Sequence, residues 1–393
     1  MNGRGLGGLV FCVWAAAVVV ACGNKSESTG SEATGGRSST GGAEQQGGSE
    51  NVNAGTEARG GSESSLGGDE NTGGRETTGG RETTGGRETT GGRESTAGSE
   101  NIAGSEATGG SENTGGSLPT PHDTVFDHRT TDAGQIPQDA IDEAVSRLHI
   151  AYWHTSHGSQ VVSGMEALSN YEPFGDRFAF STDGSSGLHF DNTVGNYDQA
   201  CPDLSNCSDG GAMLDDTRRV LADQPEINVV MWAWCSINGH NIDTYLDNME
   251  TLIAEFGPGG SNERAASTPV QFIFMTGHSE GGDTTPRESA AQIRAHCEAH
   301  DRWLIDYYDI ESHDIDGNDY SERSIADNLD YDGGNWAVEY LARDDADSTL
   351  SALTDLTSSC AHSDSPGEAK LNCVLKGQAA WWAFARIAGW DPE

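Results

Sequence analysis

The stretch from Tyr152 to Gln160, YWHTSHGSQ, places two histidines, two serines and a glutamine directly behind an apolar run. A serine acts as a nucleophile when a histidine can accept its proton. If the serine also stands at the start of a helix, its backbone N–H can help to hold an oxyanion. Ser156 has this placement, because a short helical pattern, GSQVVSGMEAL, follows it. We therefore predict a nucleophilic Ser156; the alternative is that Ser156 only caps the helix.

The base for such a serine has to come from another loop, and our candidate is His362 in the segment CAHSDSPG. This segment stands just before the last helical pattern, KGQAAWWAFARIAG. A disulfide that we expect between Cys360 and Cys373 would hold this loop in place. A base must be oriented in this way and still lie on a loop, so the placement favours His362.

Cysteine usage indicates an oxidising compartment. Four cysteines fall into two close pairs that we expect to be disulfides, Cys201 with Cys207 and Cys360 with Cys373. Two of the other four precede the domain, and the spacing does not decide whether Cys235 and Cys297 bond or stay free.

Apolar runs and amphipathic patterns alternate from residue 147 onward. The predicted buried strands are Arg147–Trp153, Ile227–Trp234, Val270–Thr276 and Trp303–Ile310, all rich in β-branched and aromatic residues. Helical patterns cover Ala212–Leu221, Ile242–Phe256 and Pro286–His300, the last with Thr285 as N-cap and Glu288 closing a capping box. This alternation predicts one α/β domain over 119–393, with a mainly parallel sheet and helices on both faces.

Polar and reactive residues follow all four predicted strands. Ligands of such sheets bind beyond the carboxyl ends of the strands, so we expect these residues to line one pocket. Besides Ser156 and His362, the candidate members of this pocket are His154, His157, Gln160, Cys235, Ser236, Asn238 and His278.

A serine behind the first strand and a histidine before the final helix resemble the SGNH/GDSL hydrolase superfamily. His154-Thr155-Ser156 stands where that superfamily usually has Gly-Asp-Ser. The segments HTSHGSQ, MWAWCS, MTGH and DIES are similar to those of a branch of secreted bacterial SGNH-like proteins, and the resemblance covers most of residues 147–390. It implies a flavodoxin-like three-layer α/β/α sandwich. It also implies ester hydrolysis, since members are mostly esterases, lipases and carbohydrate deacetylases.

The sequence departs from the superfamily pattern at the catalytic acid. The superfamily places an Asp three residues before its His, and here that position is Ser359. The chain therefore either uses a Ser–His dyad or takes its acid from Asp309 or Glu311.

The oxyanion blocks of the superfamily are also altered. The usual Gly-x-Asn-Asp block has no clean match, which leaves Asn238 or Ser236 as the candidate oxyanion donor. The glycine of the second block is either Gly184 or Gly195. Backbone N–H groups near Ser156 are expected to complete the oxyanion site.

Two other functions are compatible with the same residues. His154, His157, His278 and His362 can converge on a metal and give a metal-dependent hydrolase, although no HxH or HExxH spacing supports this. We assign no metal and no cofactor. The second alternative is a catalytically inactive, carbohydrate-binding or adhesive surface lipoprotein.

The N-terminus has the features of an export signal. Arg4 precedes a short apolar run that ends in Val19-Val20-Ala21-Cys22, which resembles a bacterial lipobox. We expect a signal peptide over 1–21 and lipid on Cys22; the alternative is an ordinary secretory signal. Residues 22–118, with the repeated hexad GGRETT, have too little apolar surface to fold, so we expect a disordered tether. The expected location is extracytoplasmic, at the outer membrane or cell surface.

The chain is strongly acidic, with a net charge of −40. Eight of its 22 basic and 15 of its 62 acidic residues precede position 119, which leaves the domain a net charge of −33. Such a surface repels nucleic acid. The expected partner is a small-molecule or glycan ester, with the lipid anchor as the only membrane contact. We expect a monomer.

Overall fold

The computed structural model describes residues 124–196 and 201–392. The expected signal peptide, the lipid on Cys22 and the expected tether fall outside these residues and stay predictions. Within the two described ranges, no helix has both the length and the apolar character needed to cross a membrane.

One sheet of seven strands organises the domain, and all its neighbouring strands are parallel. The strands are β1 (Val125–Phe126), β2 (His149–Trp153), β3 (Phe180–Ser181), β4 (Leu188–Asp191), β5 (Val229–Trp232), β6 (Gln271–Met275) and β7 (Trp303–Ile305). Their order across the sheet is β1-β7-β6-β5-β2-β4-β3. A separate antiparallel pair consists of β8 (Asp330–Tyr331) and β9 (Gly334–Asn335). The predicted α/β class is confirmed, with a sheet that is parallel throughout.

Helices cover both faces of this sheet. They are α1 (Gln138–Arg147), α2 (Ser159–Asn170), α3 (Leu204–Cys207), α4 (Ala212–Asp223), α5 (Ile242–Phe256), α6 (Thr285–His300), α7 (Tyr307–Ser312), α8 (Trp336–Leu341), α9 (Ser348–Leu356) and α10 (Leu371–Ile387). Alternate side chains of β2 point to opposite faces. Ile150 and Tyr152 pack in a core with α1, α2 and α10, whereas Ala151 and Trp153 pack in a second core with α4, α5 and α6.

Helices α2 and α10 touch at two glycines. A Cβ on Gly164 would lie 1.8 Å from the Cys373 carbonyl oxygen, and one on Gly377 would lie 2.4 Å from the Gly164 carbonyl carbon. Only glycine permits such a close backbone approach. This contact brings the beginning of α2, which follows Ser156, against the first half of α10.

Several predicted element boundaries are wrong. The strand predicted over Trp303–Ile310 ends at Ile305, because the Asp306 side chain accepts a hydrogen bond from the Asp309 N–H and starts α7. The capping box is not formed either: α6 begins at Thr285, and Glu288 accepts from the Thr284 hydroxyl at 3.2 Å. The last helix begins at Leu371, ahead of its predicted start. The helix predicted over Ile242–Phe256 is confirmed.

Both predicted disulfides are present. Cys201 bonds to Cys207 and Cys360 bonds to Cys373. Cys297 is buried and free, so it does not pair with Cys235. The Cys360–Cys373 bond ties the loop that carries His362 to the first turn of α10.

Candidate functional site

The loops that carry the predicted site residues meet at the carboxyl edge of the sheet. Residues 154–158 follow β2, residues 233–241 follow β5, residues 276–284 follow β6, and α7 follows β7. The strand order changes direction at β2, which has β4 on one side and β5 on the other. Ligands of open parallel sheets bind in the crevice at such a point. Ser156 and His157 therefore stand where this fold is best suited to hold a ligand.

Three imidazole rings are stacked at this edge, and we call them the histidine stack: His278, His157 and His362. The ring centroid of His157 lies 3.5 Å from that of His278 and 4.0 Å from that of His362, and both interplanar angles are 10°. His157 and His278 are buried, whereas His362 is exposed. The stack thus runs from the interior to the surface and joins three loops far apart in sequence.

Burial keeps the central ring of the stack neutral. It lowers the pKa of His157 to about 2, and the neighbouring rings of His278 and His362 lower it further. The desolvation of a charged imidazolium explains the direction of this effect. His157 therefore carries an uncharged ring with a lone pair over the whole physiological pH range.

Hydrogen bonds select the tautomers of the two buried rings. His157 Nε2 lies 2.9 Å from Asp327 Oδ2, so it carries the proton and leaves the lone pair on Nδ1. His278 Nδ1 donates to the Ser279 carbonyl oxygen at 2.8 Å, which leaves the lone pair on Nε2. Within the described part of the chain, neither lone-pair nitrogen has a hydrogen-bond partner. Two buried nitrogens therefore keep lone pairs that can bind a cation.

Ser156 is the first residue of a 3-10 turn, Ser156–Gly158, that continues into α2. The N-cap position belongs to Thr155, so Ser156 does not cap the helix. Ser156 is half-buried, and its carbonyl oxygen accepts from the Ser159 hydroxyl at 2.6 Å. His157 follows Ser156 directly and contacts the His362 ring, so the predicted nucleophile and base stand on adjoining loops. A direct contact between Ser156 and His362 stays a prediction.

The backbone of His362 is held in a conformation that is rare outside glycine, with a φ of 65°. The turn is closed by a hydrogen bond from the Ser363 N–H to the Cys360 carbonyl oxygen at 2.7 Å. Residues held in such conformations cluster at functional sites, where the surrounding structure compensates a strain of about 1–3 kcal/mol. The His362 side chain stacks on the His157 ring and forms no hydrogen bond or ion pair with the described residues.

A buried ion pair lies beneath the stack. Glu311 Oε1 and Lys376 Nζ are 2.5 Å apart, and both side chains are 0% exposed. Lys376 also donates to Gln160 Oε1 at 2.5 Å. The second carboxylate oxygen of Glu311 accepts from the Ser279 N–H at 2.6 Å and from the Ser279 hydroxyl at 2.8 Å. The pair thereby fixes both α2 and the loop that carries His278.

The same network reaches the two remaining loops of the site. Gln160 Nε2 donates to the Ala361 carbonyl oxygen at 2.6 Å, next to His362. Asn372 Nδ2 donates to the Asp327 carbonyl oxygen at 2.8 Å and to Glu311 Oε1 at 3.2 Å. Every ring of the histidine stack, and the Asp327 carboxylate, is therefore held by a loop that this network anchors.

Sequence reasoning missed Lys376, Asn372 and Asp327. The first two had a signal, since a lysine and an asparagine stand in the mostly apolar helix α10, where the structure buries both completely. Charged groups that are fully buried are almost always paired. Asp327 gave no such sequence signal, because it lies in a loop and its hydrogen-bond partner His157 is 170 residues away in sequence.

The predicted side-chain oxyanion donors are engaged elsewhere. The Ser236 hydroxyl donates to Glu280 Oε1 at 2.7 Å, and its N–H donates to the Ser205 hydroxyl at 2.8 Å. The side-chain amide of Asn238 donates to Asp283 at 3.1 Å and also to Glu280. Neither residue has the free donor that an oxyanion would need.

Neither candidate acid contacts His362. Asp309 lies in a separate cluster: it is 2.5 Å from His128 Nδ1, 3.5 Å from His313 Nδ1 and 3.7 Å from Arg294. Glu311 is taken up by the ion pair with Lys376. Within the histidine stack, Asp327 orients His157 and not His362.

The remaining predicted residues lie around the site. The His154 ring lies 4.8 Å from the Tyr152 ring, and burial lowers its pKa to about 4. Cys235 is buried, and its N–H donates to a serine hydroxyl at 2.9 Å. Gly195 follows β4 and lies at the same sheet edge as Ser156, whereas Gly184 lies in the turn between β3 and β4.

Comparisons of the chain with protein-family models, with curated proteins and with solved structures found no match. The function therefore has to be argued from the residues of the site.

Proposed function

We propose that this chain is a surface-tethered serine hydrolase that cleaves an extracellular carbohydrate or lipid ester. The observation that carries the proposal is the histidine stack, because it joins the loop of His362 to the residue directly behind Ser156. Strand order supports it as well. Numbered from β2 without the edge strands β1 and β3, the sheet reads 2-1-3-4-5, the order of flavodoxin-like folds. Ser156 then follows the first strand, at the point where this order reverses.

In the proposed reaction, Ser156 Oγ bonds to the ester carbonyl carbon and its proton passes to His362. The tetrahedral intermediate breaks the carbon–oxygen bond to the alcohol, which leaves with the proton from His362. A water molecule then attacks the acyl-enzyme with His362 as base, and the acid is released from the regenerated serine. Because His157 is neutral, it does not oppose a positive charge on the neighbouring His362 ring.

The oxyanion of the intermediate needs donors other than Ser236 and Asn238. The first N–H groups of a helix have no partner within the helix, and the turn that begins at Ser156 presents such groups at the sheet edge. We assign oxyanion binding to the backbone at the start of this turn. Such donors contribute about 2.7–4 kcal/mol to transition-state stabilisation in other acyl-transfer enzymes.

We also propose that the chain is lipidated at Cys22 and held by residues 22–118 at the outer membrane or cell surface. The lipobox-like segment and the low-complexity composition support this. The acidic domain surface favours neutral or cationic substrates over anionic polymers. A monomer with a lipid anchor as its only membrane contact fits this arrangement.

The test is ester hydrolysis by the purified full chain in detergent, with acetylated sugars and short acyl esters as substrates. Ser156→Ala is expected to lower kcat/KM at least about 10³-fold, and His362→Ala about 10²–10⁴-fold. The matched controls are Ser163→Ala, from the middle of α2, and His300→Ala, from the far end of α6; both are expected to retain wild-type rates. Hydrolysis that survives Ser156→Ala contradicts the proposal. A folded protein that binds glycans and hydrolyses none of these esters supports the inactive binding lipoprotein instead.

A further inference from the structure

Two rings of the histidine stack and a neighbouring carboxylate converge on one point. One ring nitrogen each of His157 and His278 and one carboxylate oxygen of Asp327 lie within 4.8 Å of one another. Ligand atoms at about 2.1 Å from a tetrahedral Zn²⁺ are separated by about 3.4 Å. His157 Nε2 and Asp327 Oδ2 are 2.9 Å apart, and His157 binds an ion beside Asp327 through Nε2 once its proton has moved to Nδ1. Rotation of the two rings would then place all three groups around one ion.

The charge around this point is not balanced by the described residues. Asp327 and Glu280 are the carboxylates next to the stack, and the ion-pair partners that the structure gives them are His157 and His278. Lys376, the nearest buried cation, is paired with Glu311. A dication at this point would be attracted by both carboxylates.

The orientation of His278 is typical of a metal ligand. Metal-bound histidines almost always donate their other ring N–H to a carboxylate, a carbonyl or a water molecule. His278 Nδ1 donates to the Ser279 carbonyl oxygen at 2.8 Å and leaves Nε2 as the ligand atom. This Nε2 is buried, has no hydrogen-bond partner in the described ranges, and lies 3.4 Å from Glu280 Oε1. An unpaired buried acceptor costs about 1–3 kcal/mol, which an ion would remove.

We propose that His157, His278 and Asp327 form a binding site for a divalent transition-metal ion. Two imidazoles and one carboxylate suit Zn²⁺ and its neighbours, whereas Ca²⁺ and Mg²⁺ prefer oxygen ligands alone. A metal lies near the plane of each imidazole that binds it. Binding therefore turns the His157 and His278 rings out of their parallel stack, and their NMR signals shift.

The binding itself does not depend on the proposed function, but its role in the reaction does. A cation beside Ser156 can polarise the ester carbonyl and stabilise the oxyanion. It would thus replace the side-chain donors that Ser236 and Asn238 do not supply. Without ester hydrolysis, the ion would still be bound and would hold the three loops together.

The experiment is calorimetric titration of the EDTA-treated, dialysed full chain with Zn²⁺. We expect one equivalent of Zn²⁺ to bind at this site. Loss of a residue that only hydrogen-bonds to a metal ligand weakens metal affinity by about 10–100-fold. His278→Gln or Asp327→Asn, which removes a ligand itself, should weaken it by more. The matched control is His313→Gln, from the other His/Asp group of the described residues, His128, Asp309 and His313. It is expected to leave this binding unchanged. Circular dichroism shows whether each variant is folded.

The inference is overturned if the folded wild type binds no Zn²⁺, or if binding survives both His278→Gln and Asp327→Asn. Loss of the ion in His313→Gln alone would assign it to the other cluster and also overturns it. Ser156→Ala separates this inference from the proposed function, because it is expected to abolish hydrolysis and retain Zn²⁺. Zn²⁺ binding without wild-type hydrolysis refutes only the proposed function, and hydrolysis without Zn²⁺ binding refutes only the metal site.

Discussion

Replacing Lys376 by Met is expected to lower the stability of the domain severely. The lysine and its partner Glu311 are both 0% exposed, so the substitution leaves a buried carboxylate without its cation. Removal of one member of a buried ion pair costs about 3–5 kcal/mol. The loss also detaches Gln160, to which Lys376 donates at 2.5 Å. We therefore expect the free energy of unfolding to fall by about 3–5 kcal/mol at neutral pH.

The double variant Lys376→Met/Glu311→Gln shows whether the pair is the cause. The amide keeps an acceptor for the Ser279 N–H, now 2.6 Å from the carboxylate, and removes the uncompensated charge. If the two charges act as a pair, the double variant is more stable than either single variant. Independent side chains would instead add to a loss of about 6–10 kcal/mol.

The assay is urea unfolding of the full chain at pH 7, followed by tryptophan fluorescence. Lys370→Met is the matched control. This half-buried lysine stands directly before α10, and its ammonium group donates to the Ser358 carbonyl oxygen at 3.3 Å. We expect its replacement to change the free energy of unfolding by no more than about 0.5 kcal/mol. A single-variant loss below about 1 kcal/mol, or additive losses in the double variant, would refute the network described here.

Three further predictions concern other parts of the fold. The folded-state pKa of His154 is about 4, below the unfolded value of 6.5, so the unfolded state binds more protons between these pH values. Urea unfolding should therefore show that the free energy of unfolding falls by about 2 kcal/mol from pH 7 to pH 5. His154→Asn should remove this part of the pH dependence. Gly377→Ala puts a Cβ 2.4 Å from a backbone carbon of α2 and should lower the free energy of unfolding by about 3 kcal/mol or more. Gly367→Ala, whose Cβ has no neighbour within 4 Å, should be tolerated. Equal melting temperatures of the two variants would contradict this. Replacing Cys360 and Cys373 by Ser opens a 13-residue loop and should lower the free energy of unfolding by about 3 kcal/mol. It should also slow ester hydrolysis. An unchanged rate would mean that the disulfide does not position His362.

The central strands of the fold could be predicted because they are short apolar runs buried on both faces. Strands β1 and β3 could not, since two residues each give no periodic signal. The predicted end of β7 was wrong because YYDI is as apolar as a strand, and the tertiary position of Asp306 starts a helix there instead. Local pattern alone does not distinguish these outcomes.

The site was predictable only where it follows from topology. Parallel strands place their carboxyl ends at one edge, so His157 and His278 were expected together and are found stacked. Asp327 comes from a loop outside the strand–helix alternation, and its contact with His157 spans 170 residues. The assignment of Asp309 and Glu311 as acids failed because their partners, His128 and Lys376, are set by packing across the sheet edge rather than by spacing.

Covalent labelling of Ser156 tests the central claim most directly. The full chain is treated with a fluorophosphonate, which reacts with activated serines, and the modified residue is identified by mass spectrometry. We predict labelling at Ser156, none at this position in Ser156→Ala, strongly slowed labelling in His362→Ala, and unchanged labelling in Ser163→Ala and His300→Ala. A folded wild-type chain that is not labelled at Ser156, or is labelled equally fast in His362→Ala, would contradict the account.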